Sequence, residues 1–191
     1  MSMRIVLASA SPRRRELLSR IVTEFDVIPA KGEECVNLSL FPEQIVVSLA
    51  EAKCDEVFLS NSDALVIVCD TIVVYSGRIL GKPKNEEDAR ATLHMLSGKT
   101  HYVMTGVCVR YRDRKLTDFE QTEVRFNRLS DEFIDDYVRG GSPMDKAGSY
   151  GIQDKGVVRE YYGSYTNVVG MPVGLVKKMM DEVLSDGKID N

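Results

Sequence analysis

The 191-residue chain is poor in zinc ligands: it has two histidines, His94 and His101, and four cysteines with no C-x-x-C pair among them. A zinc site of Cys/His type is therefore not expected. At least two of Cys35, Cys54, Cys69 and Cys108 lie in strongly apolar, strand-like runs, where thiols read as reduced and buried. No apolar stretch approaches the ~20 residues of a bilayer span, and the N-terminal stretch lacks the apolar core of a signal peptide. The expected setting is the cytoplasm, without membrane contact. A G-x-x-x-x-G-K-[ST] run is missing as well, which excludes a P-loop. Nor does one sign of charge dominate, since 25 Lys and Arg against 29 Asp and Glu leave a net −4. That balance argues against a broad nucleic-acid surface, so any anion site must be local and its ligand small. Internal repeats and low-complexity linkers are absent, and residues 1–191 are expected to fold as one domain.

Against these absences stands an opening stretch dense in one chemistry. The apolar run Ile5 to Ala8 reads as a strand and is followed by Ser9-Ala10-Ser11-Pro12-Arg13-Arg14-Arg15. Pro12 suits the first position of a helix and Ser11 its N-cap, with Leu17, Leu18 and Ile21 forming the buried stripe. Helix starts normally favour acids, because the N-terminal end of the helix dipole is already positive. Three arginines there make sense if a polyanion is held jointly by the Ser9 and Ser11 hydroxyls, backbone N–H groups and guanidinium forks. The plainer alternative is a solvated basic turn.

The run Leu65 to Tyr75 is the next strong signal: a β-branched strand, buried on both faces, interrupted by Asp70. An ionised Asp in that place is costly unless paired or metal-bound. Ser76-Gly77 makes a two-residue hairpin turn, and counting back from it sets Tyr75 against Arg78 and Thr71 against Lys82. Lys82 then lands within one residue of being opposite Asp70, a gap a bulge would close, either as a structural ion pair or as part of a site. Pro42 opens a helix to about Ser60 whose apolar stripe includes Lys53, which either snorkels to the rim of the core or aims its ammonium into a cleft. Glu33 and Glu34 follow Gly32 in a polar loop and read as surface decoration or as ligands.

Elsewhere the pattern is ordinary. A short strand is expected at Phe25 to Pro29. Asn85 caps a helix with Glu86, Glu87 and Asp88 in its first turn and Ala89, Leu93 and Leu96 on one face. Strands at Thr100 to Tyr111 and Thr117 to Arg128 form a hairpin, with His101 and Tyr102 in core or edge roles. Ser130 caps a helix to about Val138, and Gly163 to Pro172 reads as a tight loop into a last helix.

Arg13 to Arg15, Lys53 and Lys82, with Asp70 and a nearby Glu pair, suit metal-dependent attack of water on a phosphoanhydride. The cations neutralise phosphates, carboxylates hold Mg²⁺ or Mn²⁺, and one carboxylate orients or deprotonates the water. From spacing alone this is a phosphate-handling hydrolase or a nucleotide binder.

The segments SASPRRRELL, CDTIVVYSGRILGKP, LSGKTHYVMTGV, DKAGSYGIQ and GSYTNVVGMPV, in this order from Ser9 to Pro172, resemble the successive signatures of the Maf family of nucleoside triphosphate pyrophosphatases. The resemblance implies an α/β fold of two lobes around an elongated mixed β-sheet, with the nucleotide in the cleft between them. It also implies cleavage between the α- and β-phosphates, with Asp70 as the proton acceptor and metal ligand. Ser9, Arg13, Arg14, Glu34, Lys53 and Lys82 match the family's phosphate- and metal-handling positions, Glu34 within its metal set. Arg13, Thr71 and Gln153 match its specificity positions and resemble the branch acting on dTTP and UTP, not the one acting on 7-methyl-GTP. The Gln153 carboxamide offers a donor and an acceptor to the O4 and N3–H edge of uracil or thymine. The family also implies a dimer. A nucleotide-sensing regulator of cell division, without turnover, is the competing reading.

Overall fold

The computed structural model describes residues 3–32 and 36–185. Its strands are β1 Ile5–Leu7, β2 Asp26–Val27, β3 Leu65–Tyr75, β4 Arg78–Leu80, β5 Thr100–Tyr111, β6 Arg114–Phe126 and β7 Val158–Tyr162. The helices are α1 Pro12–Leu18, α2 Pro42–Leu59, α3 Glu86–Leu96, α4 Asp131–Arg139, α5 Tyr165–Val169 and α6 Val173–Leu184. The strands form one mixed seven-stranded sheet in the order β2-β1-β3-β5-β6-β7, with β4 paired to β3. β1 runs parallel to both β2 and β3, whereas β3–β4 and β6–β7 are antiparallel. The α/β class with a mixed sheet is the one expected.

Two compact units are present, one of Met1–Asp70, Thr105–Glu120 and Gly170–Asn191, the other of Thr71–Met104 and Gln121–Val169. Three of their four limits fall inside β3, β5 and β6, where continuous strand sequence carries no compositional mark of a boundary, and the fourth falls after α5, between Val169 and Gly170.

In the first unit, α2 packs Ala50, Cys54, Val57 and Phe58 against Val6, Val66, Val68 and Cys108 of the strands. Cys54 and Cys108 are free, buried thiols inside this core. Pro42 begins α2, and the Gln44 carboxamide oxygen accepts the Phe41 N–H at 3.1 Å, satisfying one donor that the helix leaves over. Gly106 on β5 lets the helix come close: a Cβ there would lie 2.2 Å from the Val46 carbonyl oxygen. β2 is only two residues long and exposed on both, shorter than the Phe25 to Pro29 expected.

In the second unit, α3 and α4 cover β5 and β6 through Leu93, Leu96, Val103, Val124, Phe126, Ile134 and Val138. Asn85 caps α3 by accepting the Asp88 N–H at 2.8 Å, and Ser130 caps α4 by accepting that of Phe133 at 3.2 Å. His101 is buried, hydrogen-bonds the Tyr150 hydroxyl at 2.8 Å and meets the Phe126 and Tyr150 rings edge-on. Asn167 is buried as well, and its amide donates to the Val103 carbonyl and the Thr122 hydroxyl. It sits on α5, a five-residue helix where the sequence suggests a loop.

The hairpin differs from expectation in one respect. Tyr75 pairs with Arg78 through a turn in which Ser76 and Gly77 both have positive φ, but the ladder ends at Val73 with Leu80. The expected Thr71 to Lys82 rung does not form, because the Gly81 carbonyl instead accepts the Gly148 N–H at 3.0 Å and Pro83 has no N–H to give.

Candidate active site

The parallel register of β1 and β3 brings the opening turn and the acidic strand to one place. Leu7 pairs with Ile67, so Ser9 and Asp70 follow two and three residues beyond the same rung on adjacent strands. Ser9 is buried, and its Oγ accepts from the Ser11 N–H at 3.3 Å and from Arg14 Nη1 at 3.2 Å. Ser11 Oγ accepts the Arg14 N–H at 3.5 Å, the N-cap expected from sequence. The first turn of α1 contains no acid. Arg13 is half-buried on it, and Leu17 and Leu18 anchor the helix from beneath; Ile21 falls beyond its end.

Arg14 has a second anchor that sequence reading missed. Its Nε donates to the Gly170 carbonyl at 2.8 Å, tying the opening turn to the chain just before α6. Gly170 has φ 117, a conformation that favours glycine, so the glycine in NVVGMPV was the available signal.

Asp70 is buried near the middle of β3, and its Oδ2 is paired with the Lys53 ammonium from α2. The side chains are 10% and 22% exposed, so the pair is largely withdrawn from water, and each charge offsets the other's desolvation. The partner anticipated as a structural alternative was Lys82. The structure corrects this, since Lys53 makes the pair and Lys82 is an exposed residue beyond the β4 ladder. Beside Asp70, burial pushes the Cys69 thiol up to about 12, which keeps it protonated and unreactive at neutral pH.

Glu56, one turn along α2 from Lys53, was also missed. Its two carboxylate oxygens accept the Lys31 and Gly32 N–H groups at 2.7 and 3.1 Å, and those hydrogen bonds hold its carboxyl below the usual range. This clasp fixes the strand-to-loop segment leading toward Glu34; Glu34 itself lies outside the described residues. The i, i+3 spacing of Lys53 and Glu56 was the only sequence hint.

Thr71, Lys82 and Gln153 belong to the second unit. Thr71 is half-buried on β3, and Gln153 is exposed in the turn Gly151 to Asp154.

No group of three or more His, Cys, Asp or Glu side chains that could hold a metal ion occurs among the described residues. Asp70 offers a hard oxygen donor. One or two carboxylates completed by substrate phosphates is a common way of holding Mg²⁺, and Asp70 is a carboxylate of that kind.

Residues 4–183 match the model of the Maf-like protein family. The chain belongs to the Maf family. Among its Maf relatives is a dTTP/UTP pyrophosphatase of Bacillus cereus (strain B4264), 47% identical over 179 residues, covering 92% of this chain and 94% of the relative. A dTTP/UTP pyrophosphatase of Bacillus thuringiensis subsp. konkukian (strain 97-27) is 48% identical over the same shares. The fold is similar to that of the Staphylococcus aureus Ham1 protein, with a TM-score of 0.51 and 15% identity over 94% of this chain and 98% of that one. Among the described residues, no helix is long and apolar enough to cross a membrane.

Proposed function

We propose that this Maf protein hydrolyses dTTP and UTP between the α- and β-phosphates, releasing the nucleoside monophosphate and pyrophosphate. The observation that carries the reading is the withdrawn Asp70–Lys53 pair beside the Ser9–Ser11–Arg14 group. In this reading Asp70 accepts a proton from water as the water oxygen bonds to the α-phosphorus and the bridge to the β-phosphate breaks. Arg13, Arg14, Lys53 and Lys82 offset the charge that develops on the leaving pyrophosphate, and the Ser9 and Ser11 hydroxyls orient phosphate oxygens. Lys53 is well suited to this, because an ammonium on a four-carbon stem can pass from a carboxylate to a phosphate. Asp70 and Glu34 would hold Mg²⁺ or Mn²⁺, which would neutralise phosphate charge.

Base choice in this reading belongs to Arg13, Thr71 and Gln153, with Gln153 meeting the O4 and N3–H edge of the pyrimidine. The cytoplasm is the setting, since nucleoside triphosphates are made and used there.

A panel of dTTP, UTP, CTP, GTP and 7-methyl-GTP, each with Mg²⁺ or Mn²⁺ and with chelator, tests the reading. Pyrophosphate release from dTTP and UTP, lost on chelation, is the expected result. Release of single orthophosphates would overturn the α–β cleavage. Preference for 7-methyl-GTP would overturn the base assignment, and binding without turnover would leave a sensor in place of an enzyme.

A further inference from the structure

The turn that carries Gln153 is built with more care than an exposed loop requires. Gly151 to Asp154 closes through the Asp154 N–H on the Gly151 carbonyl at 3.1 Å. The Asp154 carboxylate folds back, and its Oδ2 accepts the Gly151 N–H at 3.2 Å, the Ser142 hydroxyl at 2.8 Å and the Tyr137 hydroxyl. Tyr137 also accepts the Gly151 N–H at 3.1 Å, and its ring stacks on Phe133 of the same helix. Lys146 donates to Ser142 Oγ at 3.3 Å, extending the cluster to the neighbouring turn.

Gly151 is buried and does not have a positive φ, so backbone freedom is not the reason for a glycine there. Space is. A Cβ would stand 2.8 Å from Gln153 Nε2, 3.0 Å from Gln153 Cδ and 2.8 Å from Asp154 Oδ2. The exposed Gln153 carboxamide therefore lies over Gly151 where a methyl would stand, on the same side as the Asp154 carboxylate that α4 and the Ser142 turn hold.

We propose that Gly151, Asp154 and Tyr137 are positioning residues for base selection, holding the Gln153 carboxamide at one place and orientation. The proposal rests on the reading of Gln153 as the group that meets the pyrimidine edge. An exposed glutamine has rotating bonds and loses side-chain entropy when ordered. A carboxamide free to turn over could also serve cytosine, whose C4 amine and unprotonated N3 reverse the donor and acceptor of uracil. A carboxamide held in one orientation cannot. The clamp thus sharpens discrimination between UTP and CTP, and a loosened clamp relaxes it.

The test is equilibrium binding of the α,β-methylene analogues of UTP and CTP, which cannot be cleaved at the α–β bridge, to the wild type, Gly151→Ala, Gln153→Ala and the double variant. The φ is ordinary and the Gln153 carboxamide is a flexible end, but Asp154 Oδ2 must also give way, so Gly151→Ala should fold in one cooperative transition with a lowered Tm. The UTP over CTP preference should fall about tenfold in Gly151→Ala, chiefly by a gain for CTP relative to UTP. A purely structural role would weaken both analogues equally and leave the ratio alone. In the Gln153→Ala background the added Gly151→Ala should change the ratio less than about twofold. An equal shift there would show that the effect does not pass through Gln153 and would overturn the clamp. If Gln153→Ala collapses the preference while Gly151→Ala leaves it intact, the clamp fails and the base reading stands. If Gln153→Ala is itself neutral, the base reading fails and takes the clamp with it. Tyr137→Phe, which removes one donor to Asp154, serves as the second variant: a fall in the same ratio supports the clamp, and an unchanged ratio overturns it.

Discussion

Two carboxylates, one in each unit, are held by opposite means. Asp70 is paired with one ammonium at the end of a flexible stem, whereas Asp154 is held by a tyrosine hydroxyl, a serine hydroxyl and a backbone N–H. Neutral donors set on a helix and two turns fix a carboxylate in place. A lysine leaves it exchangeable, because the ammonium moves to any stronger anion that arrives. The same contrast extends to His101, whose partner is the uncharged Tyr150 hydroxyl. In the proposed reading, chemistry is carried by the pair that can be disturbed, and shape by the cluster that is held fast.

Substituting the first carboxylate breaks the contrast most sharply. Asp70→Asn keeps the size and removes the charge and the proton-accepting oxygen, so pyrophosphate release from dTTP should drop by about 10²–10⁴-fold. Its unfolding midpoint in urea should fall as well, since the Lys53 ammonium keeps its charge and loses the carboxylate that offset its desolvation. A variant that is folded and fully active would remove Asp70 from the chemistry.

Acid probes the neutral side of the comparison. Burial lowers the His101 pKa from 6.5 to about 4, so the folded protein resists a proton that the unfolded chain accepts. By linkage, the His101 contribution is present above pH 6.5 and is lost as pH falls from 6.5 toward 4, to the extent of roughly 3 kcal/mol. His101→Gln, which does not titrate, should flatten that slope in urea unfolding measured at pH 7 and pH 4.5. An unchanged slope would mean that His101 is not the group responsible.

Removing the second carboxylate should act on stability more than on turnover. Asp154→Ala leaves several donors without their acceptor and should cost about 1–3 kcal/mol in unfolding free energy. Its kcat for dTTP should change less than tenfold. A larger loss of turnover than of stability would erase the distinction between the two acids.

The smallest effect is expected at Glu56, a half-buried residue that clasps two backbone N–H groups at the surface. Because its carboxyl is held below its usual pKa of 4.5, its contribution is present above that value and fades as pH falls below it. Glu56→Gln should remove this dependence and make the Lys31–Gly32 amides exchange faster with deuterium, with little change in global unfolding.

What sequence could reveal follows from how local each determinant is. β3 lies at Leu65 to Tyr75 as expected, because a β-branched run between turn residues leaves few alternatives, and the Ser11, Asn85 and Ser130 caps act within three residues of themselves. The partner of Asp70 was misjudged because hairpin counting favours the near lysine. The competition of Gly148 for the Gly81 carbonyl, and the approach of α2 carrying Lys53, are settled by tertiary packing. β7 escaped notice since its residues are half-buried or exposed and its apolar pattern is correspondingly faint. The Tyr137 to Asp154 bond spans a helix end and two turns, and neither residue type at that separation marks itself.

The approach at Gly106 has a reach beyond packing. α2 rests there almost backbone to backbone against β5, and seven residues further along the same helix stands Lys53. A methyl group at that distant spot would lever the rod outward and draw the ammonium off its acid. In a saturation scan Gly106 should therefore tolerate substitution poorly, because any side chain there displaces the helix that carries Lys53.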